Sequence, residues 1–432
     1  MNERRAPDTV LPAAAAPSRL TSSVDATTPQ ATRTTWFATI VIILSTGAFF
    51  AVFLDGSSPT VLGLWILVYA VAGAMLLDGL LRERLTLRVP ISLVLFMVLA
   101  AVSVLWSSAV DATARRSIGL AGTVLVGLVL AQRLRPVEIL DAVRRAMLII
   151  AVLSLLFYLS GDARAVDATH DTMRGLVATK NTLGRVMGLG LLAAAATAFI
   201  DPRRTRRAVW SALPMVAALA LTGSAGGGII ALLVLFALAG AILWKASMGR
   251  LFMAGAGALA IGAAVMVAPA TTADDIAGLV GRDLTLTGRT DIWALSLEAF
   301  SQQPVLGYGY GAFWHEAGPV QGRRIVALLY WPVPNAHNGL LDVALDVGLA
   351  GVALAVLILG GLLVRGVLDA RDGLTEVAVL RLSIGLLVLF SNLAESSFLQ
   401  ENAFLTIVFV AALAARQPTQ PRAASARPDR AG

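Results

Sequence analysis

Pro332-Val-Pro-Asn-Ala-His-Asn-Gly-Leu-Leu-Asp-Val-Ala-Leu-Asp-Val-Gly-Leu-Ala-Gly351 carries the chain from water into an apolar run that continues to Val364. Pro332 and Pro334 fix the entry angle, Asn335 stands where it can cap the helix that follows, and His337 is one of only three histidines in the chain. Upstream lies the contrast that sets the architecture. The 67 residues from Ala270 to Ala336 hold no membrane-grade apolar run, in a chain that is otherwise almost entirely apolar helix. A long polar loop is where an integral membrane protein can do aqueous chemistry. A helix N-terminus at a membrane surface is a ready site for anions.

Working outward, the composition agrees. Of 432 residues 57% are hydrophobic and 14% charged, with a mean hydropathy of +0.78. A water-soluble core cannot absorb that much apolar surface, so the bilayer must solvate most of it. Apolar runs fall at 36–54, 59–78, 90–106, 117–131, 146–160, 181–200, 208–222, 228–244, 251–269, 338–364, 376–393 and 399–415. The expected fold is an all-α polytopic membrane protein of about 12 transmembrane helices, with one long extracytoplasmic loop between spans 9 and 10. Residues 1–35 and 416–432 read as disordered cytoplasmic tails, 36–269 as spans 1 to 9, 270–336 as the catalytic loop, and 337–415 as spans 10 to 12.

The net charge of +7 would suggest a nucleic-acid partner in a soluble protein, but here it follows the topology. With both termini inside, 24 of the 34 Lys and Arg residues fall in inside segments, led by Asp201-Pro-Arg-Arg-Thr-Arg-Arg207. That bias orients the chain with both tails cytoplasmic and the long loop outside. There are no cysteines, hence no disulfide framework and no thiolate metal site, and three scattered histidines argue against a multi-histidine metal cage.

Arginines outside become informative because the charge rule makes them scarce. They gather in 161–180 with the mouth of the next span, and in the long loop. Arg174 and Gly175 precede Lys180 and Asn181 at a span mouth, and Arg185 lies further along it. Arg289 heads a helix expected from Thr290 or Asp291 to about Gln303, with Trp293, Leu297 and Phe300 on one face and Pro304 as its stop. Arginine, lysine and a helix N-terminus together suit a pyrophosphate. With no Walker or Rossmann glycine pattern present, the natural anion on an outer membrane face is a lipid-linked diphosphate. Any one loop arginine can also be an ordinary solvated charge, and His337 a solvated residue at a helix start. Against that, Asn338, Asp342 and Asp346 lie along one stripe at i, i+4 and i+8, and carboxylates on a membrane helix are expensive enough to imply use. Histidine is the side chain best suited to base chemistry near neutral pH. Asp55, Asp111, Glu395 and Glu401 read as ordinary span-end residues, and Arg115 and Arg116 as side chains that snorkel.

Pro334-Asn-Ala-His-Asn-Gly-Leu-Leu-Asp-Val-Ala-Leu-Asp-Val-Gly-Leu-Ala-Gly351 resembles the signature of the bacterial O-antigen ligase/polymerase family. Thr287-Gly-Arg-Thr-Asp-Ile-Trp293 and Pro304-Val-Leu-Gly-Tyr-Gly-Tyr-Gly311 resemble the upstream part of the same loop, especially in exopolysaccharide polymerases, and Arg174-Gly with Lys180-Asn181 resembles a third segment. Two positions depart: Thr179 stands where many relatives have His, and Ala225 where many have Arg after Ser224.

The resemblance implies a metal-independent glycosyl transfer without cofactor at the outer face of the bacterial cytoplasmic membrane. The donor would be a glycan on undecaprenyl diphosphate. The acceptor would be another lipid-linked unit in a polymerase, or a lipid or protein hydroxyl in a ligase. Arg174 and Arg289 would hold the diphosphate, and His337 would assist acceptor attack as a base or grip phosphate as a cation. Lys180, Asn181, Asn338, Asp342 and Arg323 complete the set as substrate-binding residues. The flippase and chain-length regulator of the same pathway are the protein partners such a role implies. A transporter or flippase of lipid-linked sugars is the alternative, and it predicts internal repeats, broken helices and midplane charges. A structural component of an export complex predicts that Arg289 and His337 are dispensable.

Overall fold

The structure, a computed structural model, describes residues 29–54, 58–83, 89–167, 171–224, 289–330 and 333–416. The expected spans at 228–244 and 251–269, loop residues 270–288 and Ala225 lie outside them. The helices are α1 (Pro29–Ser45), α2 (Phe50–Phe53), α3 (Pro59–Glu83), α4 (Ile91–Val102), α5 (Val110–Arg133), α6 (Pro136–Leu159), α7 (Lys180–Ile200) and α8 (Thr205–Thr222). After the undescribed stretch follow α9 (Arg289–Gln302), α10 (Val320–Leu329), α11 (Gly339–Arg371), α12 (Thr375–Ala394) and α13 (Phe404–Ala414). A two-residue ladder, β1 (Val166–Asp167) against β2 (Thr172–Met173), is the one departure from all-α among the described residues.

Six of these helices are long and apolar enough to cross a membrane: Pro59–Arg82, Val110–Arg133, Pro136–Leu159, Lys180–Ile200, Gly339–Arg371 and Thr375–Leu393. The chain is therefore a multi-pass, all-α membrane protein. Thr32–Ser45, Ile91–Leu105 and Phe404–Ala414 are shorter apolar helices. The first expected span, 36–54, is not one helix. Helix starts at Pro29, within the stretch read as tail, and ends at Ser45, where the Ser45 and Thr46 hydroxyls donate to the Ile42 and Ile43 carbonyls at 2.8 and 2.7 Å. Hydroxyls that satisfy those acceptors compete with continuation of the helix. α13 spans only 11 residues, but all of them are buried, so it is sheathed by protein. A Cβ on Gly127 of α5 would lie 2.7 Å from Val410 and 2.8 Å from the Ile407 carbonyl of α13, the close approach that small residues permit between membrane helices.

α11 is broken. Val347 (φ −131°) and Gly348 (φ +67°, ψ −166°) leave the helix, and the chain resumes at Leu349. The broken turn is repaired by the loop after α9. Tyr308 N and Gly309 N donate to the Leu345 and Asp346 carbonyls, both at 2.8 Å, and Leu349 N donates to the Pro304 carbonyl at 2.8 Å. Ala350 N reaches the Val305 carbonyl at 3.4 Å. Every backbone group freed in apolar surroundings must find such a partner. At 1.5 Å per residue, 349–371 alone rises about 34 Å, enough for about 30 Å of hydrocarbon. The two turns 339–346 that carry Asp342 and Asp346 can therefore stand above the apolar slab rather than within it.

α9 ends one residue before the expected Gln303, but Thr290 and Asp291, read as possible caps, lie inside its first turn; its buried face is Ile292, Ser296 and Ala299, while Leu297 is 55% exposed. The helix has rolled toward Val333 and Ala336 on one side and Tyr308 and Phe313 on the other, leaving Trp293 and Phe300 at its flanks.

Candidate functional site

The loop of 333–338 is built to hold His337 in a fixed pose. Trp293 Nε1 donates to the Ala336 carbonyl at 2.8 Å, and Ala336 N donates to Asp342 Oδ1 at 3.0 Å, so both polar backbone groups of Ala336 are fixed. Trp314 Nε1 donates to the same Asp342 oxygen at 2.8 Å. The helix cap is Asn338, not Asn335: its Oδ1 accepts from Leu340 N at 3.2 Å and from Leu341 N at 3.1 Å. Asn335 Oδ1 instead accepts from His337 N at 2.9 Å. His337 itself sits at φ 52°, a left-handed conformation that non-glycine residues adopt at a cost and that concentrates at functional sites.

Around His337 three segments converge on the carboxylate of a fourth. His337 Nδ1 lies 3.5 Å from Glu395 Oε2, Arg289 Nη2 lies 3.4 Å from Glu395 Oε1, and Arg185 Nη1 lies 4.0 Å from Glu395 Oε2. Their side chains are only 14 to 20% exposed. Burial alone would push the Glu395 carboxyl up, but the nearby His337, Arg185 and Arg289 more than offset it and hold it below its ordinary value. Two arginines and an imidazole thus meet at a shielded mouth, an arrangement of donors that suits an anion.

Beside this cluster opens a cavity of about 210 Å³, lined by Arg116, Asn335, Asp342, Asp346, Ser396 and Glu401 among others. Arg116 Nε faces Glu401 Oε1 at 3.4 Å, and burial raises the Glu401 carboxyl against that pull. Tyr310, from the Gly/Tyr turn, donates from its hydroxyl to the Leu399 carbonyl at 2.7 Å, and its N–H donates to Ser103 Oγ at 2.9 Å. A Cβ on Gly311 would lie 2.3 Å from Arg116, so the turn and the cation are packed without spare room.

The structure thus brings Arg289 and His337 together, and adds Arg185 and Glu395, which sequence reading had set aside as a mouth charge and a span-end residue. Arg185 left a trace: it follows Asn181 by one helical turn, on the same face of α7. Glu395 left none, because its meaning comes from partners over 50 to 200 residues away. Arg174 is placed elsewhere. Its Nε donates to the Arg164 carbonyl at 2.7 Å and its Nη1 to the Ala178 carbonyl at 3.2 Å, so it braces the loop before α7. Thr179, one of the two departures, caps α7 by accepting from Thr182 N at 3.2 Å. Lys180 opens that helix, and Asn181 Oδ1 accepts from Ser224 Oγ at 3.2 Å. Arg323, on the exposed side of α10, donates to the Gly318 carbonyl. Asn338 and Asp342 hydrogen-bond the chain's own backbone, although Asp342 also lines the cavity.

Residues 210–356 match the family described as O-antigen ligase, a stretch that contains Arg289, His337, Asp342 and Asp346. Over 276 residues the chain is 28% identical to the "Exopolysaccharide production protein ExoQ" of Rhizobium meliloti (strain 1021). That alignment covers 61% of this chain and 62% of the relative, so the chain spans under two thirds of the relative's length. Over these stretches the multi-pass membrane chain is similar to the O-antigen ligase family and to an exopolysaccharide production protein.

Proposed function

We propose that the chain is a metal-independent glycosyltransferase that moves a glycan from undecaprenyl diphosphate to an acceptor hydroxyl at the outer face of the cytoplasmic membrane. The observation that carries this reading is the meeting of Arg185, Arg289, His337 and Glu395 at one mouth of the bundle, beside a polar cavity. Cleaving a sugar–diphosphate bond requires the leaving charge to be neutralised, and preorganised arginines do this in place of a metal. Glu395 holds the arginines poised until the diphosphate arrives. Its other contact, to His337 Nδ1, turns the imidazole so that the opposite nitrogen can take the acceptor's proton, the geometry of a base oriented by a carboxylate. Arg174 acts one step back, by shaping the mouth of α7.

The broken helix favours a second reading, a flippase or transporter, because discontinuous helices mark transporter sites. Its position weighs against that. The break lies two turns, about 12 Å, from the mouth rather than at the bilayer midplane.

The test is a transfer assay with purified protein, a lipid-linked oligosaccharide and chelator, with donor binding measured alongside turnover. We expect turnover in chelator, and His337→Ala to lose transfer while still binding donor. A His337→Arg protein that recovered activity would replace the base by a phosphate-gripping cation. Movement of donor across vesicles without sugar transfer would replace the enzyme by the flippase.

A further inference from the structure

The end of the bundle opposite the Glu395 cluster carries a second, unrelated site. A groove of about 460 Å³ runs between α6 and α8, lined by Arg144, Leu148, Arg206, Arg207, Trp210 and Ser211. Its floor is charged and ion-paired. Asp141 accepts from Arg144 at 2.7 and 3.0 Å and from Arg145 at 2.8 Å, and Arg145 also lies 5.0 Å over the Trp36 ring. Asp201 pairs with Arg204 at 3.1 Å. The rim is not balanced: Arg206 and Arg207 are exposed and have no ion-pair partner among the described residues. Below the rim α8 turns an apolar strip outward, Val209, Trp210, Leu213 and Val216, each more than half exposed.

We propose that this groove binds an anionic phospholipid, its phosphate between Arg206, Arg207 and Arg144 and its acyl chains along the α8 strip. Cationic pockets between membrane helices suit anionic headgroups, and Trp210 is the amphipathic residue that settles at headgroup level. A soluble anion would use the arginines but not the apolar strip. A zwitterionic lipid would bring its own cation against them, where the described lining residues are arginine, leucine, tryptophan and serine and the nearby Asp141 and Asp201 are already paired with arginines.

The full chain in detergent tests this by thermal unfolding and native mass spectrometry, with phosphatidylglycerol or phosphatidylcholine of the same acyl chains added. Phosphatidylglycerol should be retained and should raise the unfolding midpoint, and phosphatidylcholine should do neither. The double variant Arg206→Gln/Arg207→Gln should unfold like wild type without lipid yet hold phosphatidylglycerol about 30-fold more weakly. Should the double variant fail to fold, Arg207→Gln alone is read the same way, with about a fivefold loss. Undiminished retention in the variant that folds would overturn the proposal, as would equal retention of phosphatidylcholine. A full stabilising shift from inorganic phosphate or pyrophosphate would also overturn it, by showing the ligand to be a free anion.

Discussion

At the scale of single residues the site depends on charge geometry rather than charge alone. Arg289→Lys keeps the charge but loses the planar two-pronged donor, so it should fail in transfer nearly as badly as Arg289→Ala, by about 10²–10³ in rate. Full activity in both variants would make Arg289 an ordinary loop charge. Glu395 gives a pH signature. Its carboxyl is held below its ordinary value of 4.5 in the folded protein, so its contribution is complete above that pH and is lost as pH falls through the lowered value. The unfolding midpoint should therefore drop on acidification below about 4.5, and Glu395→Gln should be less stable at neutral pH with a flatter acid limb. Thermal unfolding of both proteins across an acid series measures this; parallel curves would remove Glu395 from the charge balance. Arg289 and His337 were legible because each sits in a local motif. Glu395 was not, because a glutamate at a span end looks the same whether it faces water or two arginines.

Elements show the same division. Apolar runs give the membrane helices directly, since hydropathy is a property of the local stretch: 181–200 became Lys180–Ile200 and 376–393 became Thr375–Ala394. The fifth helix outran its apolar run, 117–131, because Val110–Arg133 extends through Asp111, Arg115 and Arg116 at one end and to Arg133 at the other. The break at Gly348 was invisible, because glycine is common in intact membrane helices. It shows itself only through its partner loop. A Cβ on Gly348 would lie 2.2 Å from the Val305 carbonyl in a left-handed backbone, whereas nothing lies within 4 Å of one on Gly360 in the same helix. Gly348→Ala should therefore lower stability by about 1–3 kcal/mol or more, while Gly360→Ala stays near neutral. Comparing the unfolding midpoints of the two variants decides it, and equal midpoints would mean that the break relaxes at little cost.

For the molecule as a whole, the 24-to-10 division of Lys and Arg predicts the orientation in the membrane. A reporter fused after Arg206 should be cytoplasmic and one near Gly318 extracytoplasmic; the reverse pattern would put the candidate site on the wrong side for a lipid-linked glycan donor. The helix order already places the Glu395 cluster and the Arg144 groove at opposite ends of α6 and α7. The basic cluster 203–207 at one of those ends was legible in the sequence. The path by which loop, α7 and α12 meet was not, because it depends on packing between segments far apart in sequence.

The four backbone bonds between residues 304–309 and 345–350 also decide how the protein can be recombined with its relatives. A chimera joined between Gly311 and Val333 takes the loop from one parent and the first turns of α11 from the other. Unless both parents share the same bend, it strands up to four amide and carbonyl pairs in a greasy setting, at about 1–3 kcal/mol each. Exchanging residues 289–350 as one cassette keeps every one of those pairs within a single parent. The unit that can be inherited intact is thus larger than the loop, and it includes the turns of membrane helix that the loop mends.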